Sequence, residues 1–86
     1  MNKSADELGI ILNKMYHKAP RKETVTMVHL FGIRYPEDIR RAGVKEVTKA
    51  AGIGDEYKAE VNKGIKLAPY ATLSPEVLAQ LDLLIA

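Results

Sequence analysis

Within residues 55–67 the side chains of Lys58, Asn62 and Lys66 recur every four positions, with Lys63 beside them. On a helix that spacing lines the first three up in one stripe. An asparagine amide can pair with adenine in a major groove, and a lysine can reach guanine or a phosphate. The chemistry on offer is recognition of a polyanion by hydrogen bonds and charge. Arg40, Arg41, Lys45 and Lys49 lie just before this segment and could serve phosphates. So could Lys14, His17, Lys18, Arg21 and Lys22, a run without an intervening acid. The alternative for that run is positive charge at a helix C-terminus, which the helix dipole favours. Asp55, Glu56 and Glu60 work the other way, because carboxylates repel phosphate.

Residue types that perform catalysis are present without the spacing that catalysis needs. His17 and His29 are the only histidines, fall on different expected helices, and lack the further ligands a metal requires. Glu37 and Asp38 are adjacent, so on a helix their carboxylates diverge. The two serines, Ser4 and Ser74, both read as helix caps. There is no cysteine and no glycine-rich phosphate loop. We expect no enzyme activity, no cofactor and no metal.

The elements that must position the basic stripe follow from local signals. Ser4 with Glu7 has the spacing of a capping box. Leu8, Ile11, Leu12, Met15 and Tyr16 then repeat at helical spacing, which predicts a helix over about 5–18 that ends before Pro20. A second helix is expected over about 23–35, although its Thr24–Val28 run is partly β-branched and would also suit a strand. Helix is preferred because no partner strand is evident. Pro36, Glu37 and Asp38 predict a short helix start, ending at Gly43. Val44 to Ala51 is the next helix, with Gly52 as its C-terminal glycine. Asp55 is expected to cap the helix that follows, whose Tyr57, Val61 and Ile65 face inward and which ends near Leu67. Ser74-Pro75-Glu76 opens a last helix to about Ile85.

At 86 residues the chain is expected to form one domain over 1–86, with the motif at about 44–67 and an apolar helix at about 74–85. Net charge is +2, which permits an anionic partner without requiring one. No stretch approaches the ~20 apolar residues of a membrane helix. The acidic turn in the N-terminal segment 1–7 does not resemble a signal peptide. The expectation is a cytoplasmic protein without membrane association.

Val47, Ala51-Gly52-Ile53 and Val61 resemble the helix-turn-helix of lac-repressor-type regulators. The resemblance implies a motif core of Val47, Ala51, Gly52, Ile53, Tyr57 and Val61. In that family a small residue permits close helix crossing, a glycine makes the turn, and the second helix lies in the major groove. Gly54 stands where the family usually has serine or threonine. Lys58 stands where it has an aliphatic residue, and Tyr57 is expected to do that packing. Gly52-Ile53-Gly54 followed by Val61 also resembles a helix-hairpin-helix, whose hairpin amides hold a phosphate independently of sequence. Residues 29–35 and 63–68 make the chain similar to small bacterial and phage helix-turn-helix-like proteins.

The resulting expectation is an all-α bundle of five or six short helices that binds double-stranded DNA, as a small transcriptional regulator or a phage or mobile-element protein. Lys58, Asn62, Lys63, Lys66, Arg40, Arg41, Lys45 and Lys49 are the candidate contacts. The alternative is a protein-interaction module: an adaptor, an inhibitor or an antitoxin-like partner. Its candidate interface is the C-terminal stripe Val77, Leu78, Leu81, Leu84 and Ile85, which either closes the core or pairs with a second copy or another protein.

Overall fold

A computed structural model describes residues 2–86; Met1, part of the N-terminal segment read above, lies outside the described residues. The described chain is all-α. Six helices run in order: α1 (Ala5–His17), α2 (Thr24–Arg34), α3 (Pro36–Ala42), α4 (Val44–Ala51), α5 (Tyr57–Leu67) and α6 (Pro75–Ile85). A single 3₁₀ turn, Ala68–Tyr70, follows α5.

Each boundary has a local cause. The Ser4 hydroxyl accepts from the Glu7 amide at 3.1 Å, and the Ser4 amide donates to the Glu7 carboxylate at 2.9 Å, completing the capping box. Lys22, at φ 68°, turns the chain between α1 and α2. The β-branched run of α2 is helical, because its Met27, Val28 and Phe31 are buried on one side. Gly43 at φ 95° separates α3 from α4. The Ser74 hydroxyl accepts from the Val77 amide at 3.2 Å and opens α6.

One expected cap is not formed. The residue that precedes α5 as its cap is Glu56, and no side chain caps that end. Asp55 instead accepts from the Lys58 amide through its backbone carbonyl at 3.0 Å. The turn between Gly52 and Tyr57 is one residue longer than an Asp55 cap requires.

The core is a ring of four helices in the order α1, α2, α5, α4, with α3 and α6 laid against it. Leu8, Leu12, Met15, Val28, Phe31, Ile39, Val47 and Val61 are fully buried in it. Two of the helix crossings are made close by glycine. A side chain on Gly9 of α1 would meet Ala50 and the backbone of Ala51 in α4. Gly32 of α2 and Gly64 of α5 face each other. A Cβ on Gly64 would stand 2.3 Å from the His29 carbonyl oxygen and 2.9 Å from the Gly32 Cα. The α2–α5 pair is thus held at backbone contact, and this fixes where α5 lies.

Candidate nucleic-acid interface

The turn between α4 and α5 begins at Gly52, in the left-handed conformation at φ 73°, ψ 22°. The Gly52 amide donates to the Lys49 carbonyl at 3.1 Å and the Ile53 amide to the Thr48 carbonyl at 3.4 Å. This pair of bonds is a Schellman closure, which satisfies two carbonyls that the end of α4 would otherwise leave open. Another carbonyl there, that of Ala51, accepts from the Asn13 side-chain amide of α1 at 2.9 Å. Thr48 is buried, and its hydroxyl donates to the Lys45 carbonyl at 3.1 Å. The α4 end is therefore anchored by its own glycine and by α1.

Ala51 is buried at the end of α4, where Ala50 and the Ala51 backbone come close to Gly9 of α1. Val47 and Val61 are buried, while Ile53 and Tyr57 are partly buried against the core. The Tyr57 ring meets Tyr16 of α1 edge-on, with centroids 5.1 Å apart and the two hydroxyls at 3.4 Å. The bond to Tyr16 raises the Tyr57 phenol above its ordinary pKa. Tyr57 thus ties the start of α5 to α1.

Along α5 the buried side carries Val61, Gly64 and Ile65. Ala59, Asn62, Lys63 and Lys66 are exposed, and Lys58 is half-buried. Lys58 therefore lies nearer the core than Asn62 and Lys66, the two residues with which it shares four-residue spacing. Glu60 is turned away from this side. Its carboxylate meets the His29 imidazole Nε2 of α2 at 2.6 Å and the Lys63 ammonium at 3.3 Å. The sequence gives no hint of the first contact, because His29 and Glu60 are 31 positions apart.

Lys45 and Lys49 lie one turn apart on α4, are exposed, and make no ion pair among the described residues. Arg40 and Arg41 are exposed but engaged by the acids one turn earlier, Arg40 with Glu37 and Arg41 with Asp38 at 3.3 Å. Exposed pairs of this kind contribute about 0–1 kcal/mol, so they can exchange for a phosphate at little cost. In the first basic run, Lys14 donates to the Ile85 carbonyl at the end of α6 at 3.3 Å. His17, Lys18, Arg21 and Lys22 are exposed.

The His29–Glu60 pair joins α2 to α5, and it makes stability depend on pH. The hydrogen bond from His29 holds the Glu60 carboxyl below its ordinary pKa, with a smaller lowering by Lys63. A carboxylate whose pKa falls on folding stabilises the fold above its unfolded pKa, about 4.3 for glutamate, and that contribution is lost as pH drops through the folded value. Thermal melts from pH 7 to pH 3 are expected to show a shallower acid decline for Glu60→Gln than for the parent. Parallel declines would assign the acid loss to other carboxylates.

The C-terminal stripe is turned mostly inward. Leu81 is buried, and Val77, Leu84 and Ile85 pack against the core. Leu78 is half-buried. The large apolar side chain that α6 exposes is Leu83, at 76%. It borders a groove of about 540 Å³ between α2 and α6, lined by Met27, Leu30, Val77 and Leu84 among others. Arg34 of α2 holds α6 through Asp82 at 2.7 Å.

Among the described residues there is no cluster of three or more metal-ligating side chains, and no helix is long and apolar enough to cross a membrane. No curated protein and no solved structure matches the chain. A family model described as an HTH-like domain matches residues 4–74, from the α1 cap to the α6 cap. The four-helix ring and the glycine turn between α4 and α5 lie inside that span, and on this match the chain belongs to the HTH-like domain family.

Proposed function

We propose that this chain is a non-enzymatic DNA-binding module that uses α4, its turn and α5 as a helix-turn-helix unit on double-stranded DNA, in a small transcriptional regulator or a phage or mobile-element protein. The observation that carries the reading is the outward side of α5. Opposite the buried Val61, Gly64 and Ile65 it presents Asn62, Lys63 and Lys66 to solvent. An amide among lysines on an exposed helix side is suited to base edges flanked by phosphates. Lys45 and Lys49 of α4 supply phosphate contacts, with Arg40 and Arg41 recruited from their exposed pairs and Lys58 at the margin.

A helix-hairpin-helix mode is less well supported by the same turn. The Gly52 and Ile53 amides already donate to α4 carbonyls. The Glu56 carboxylate lies over Gly54, where a phosphate would approach. An anion held there would meet a carboxylate and find fewer free amides.

Lys49→Ala and Lys66→Ala are each expected to weaken binding to a fluorescent duplex of any sequence. Each should also reduce the slope of log affinity against log salt by about one. Variants with the parent's affinity and slope would remove these lysines from the interface.

A second reading, self-association, has its own observation: Leu83 protrudes beside the α2–α6 groove. A knob next to a hollow on one face is what a two-fold interface requires. Paired copies would present paired α5 helices to two half-sites. Sedimentation over a concentration series checks this: a dimer supports it, and a monomer at all concentrations excludes it.

A further inference from the structure

We infer that the middle turn of α5 reads an adenine–thymine pair or step, with Ala59 as the residue that selects thymine. The inference rests on α5 being the recognition helix. Ala59, Asn62, Lys63 and Lys66 are spaced three, four and seven positions apart and are all exposed, so they share the outward side of the helix.

The character of that side changes along its length. Asp55 and Glu56, just before α5, are exposed acids, and Glu60 is drawn off by His29. Lys63 and Lys66 follow at the other end. Carboxylates at the leading end oppose its insertion between phosphates, and the lysines favour a strand at the trailing end. The turn left nearest the base pairs is the one containing Ala59 and Asn62.

Ala59 is small enough to let the α5 backbone approach the bases closely, and its methyl group offers only apolar contact. The apolar feature that base pairs present in the major groove is the C5 methyl of thymine. Asn62, one turn further on, has the paired donor and acceptor that match adenine N6 and N7. Neighbouring side chains on a helix stand about 5–6 Å apart, within reach of adjacent base pairs.

The test uses the full chain. Sites are selected from randomised duplexes, and each selected thymine is then replaced singly by deoxyuridine, which removes only the methyl group. The expected result is an A·T pair common to the selected sites and one thymine whose replacement weakens binding about fourfold, the equivalent of one buried methyl group. Ala59→Ser, checked for helical content by circular dichroism, is expected to bind with no such sensitivity at that position. The deoxyuridine result on the parent protein stands even if the variant fails to fold. Selected sites without a common A·T pair, or binding indifferent to every deoxyuridine, would overturn the inference and leave DNA binding intact. Absence of binding to any duplex at low salt would overturn both.

Discussion

Gly64→Ala is expected to lower the melting temperature of the domain by about 8–16 °C, the equivalent of a net loss of ~2 kcal/mol in a chain of this size. The added methyl would stand 2.3 Å from the His29 carbonyl oxygen and 2.9 Å from the Gly32 Cα. Both are backbone atoms, so no rotamer change relieves the overlap, and α2 and α5 must move apart. Overpacking of this kind costs about 1–3 kcal/mol and occasionally more. The rigid partners place it at the upper end, while alanine returns up to ~1 kcal/mol of helix propensity. The contrast is Gly54→Ala. There the atoms nearest the new methyl belong to the Glu56 carboxylate, the free end of a flexible side chain. That variant is expected to melt within a few degrees of the parent. Differential scanning calorimetry on both separates the two cases, and equal melting temperatures would mean the α2–α5 crossing is not held at backbone contact.

The same crossing bears on recognition. α5 is positioned by Gly32–Gly64, by His29–Glu60 and by Tyr16–Tyr57, three contacts that join it to α2 and α1. A partly tolerated Gly64→Ala protein would carry a displaced α5, so its DNA affinity should fall along with its stability.

The second large effect is expected from Asn62→Ala. Asn62 is exposed on the outward side of α5, so its truncation leaves no buried group unpaired and folding should be unaffected. If it pairs with a base, its loss weakens binding to a selected site by about 1–3 kcal/mol while binding to unrelated duplexes changes little. Competition binding with selected and scrambled duplexes reads that ratio directly. An equal loss on both would make Asn62 a backbone contact, and no loss on either would place it outside the interface.

The helices were legible because their ends are written locally. Ser4 with Glu7, Pro36, Gly43, Gly52 and Ser74-Pro75 each impose a backbone conformation through capping, ring geometry or a left-handed turn, and each marks an observed boundary. Asp55 misled because its type suits a cap, whereas the turn runs on and closes through backbone bonds.

What could not be read was which helix meets which. Gly9 against Ala50, Gly32 against Gly64, Asn13 on the Ala51 carbonyl and His29 on Glu60 join positions 31 to 41 residues apart. Periodicity identifies an inward side of a helix without naming its partner. At the end of α4, Ala50 and the backbone of Ala51 approach Gly9 of α1, a partner that no local spacing indicates. Arg40 and Arg41 are a local case: Glu37 and Asp38 suit the positive end of α3, and their three-residue spacing also pairs them with the two arginines. Of the basic stripe, Asn62 and Lys66 follow from the spacing of inward residues, whereas the half-burial of Lys58 depends on tertiary packing.

The most direct test is binding of the full chain to a random-sequence fluorescent duplex over a salt series. The account predicts saturable binding at low salt that falls linearly in log affinity with log salt, at about 0.9 per phosphate contacted. Absence of binding even at the lowest salt would contradict it.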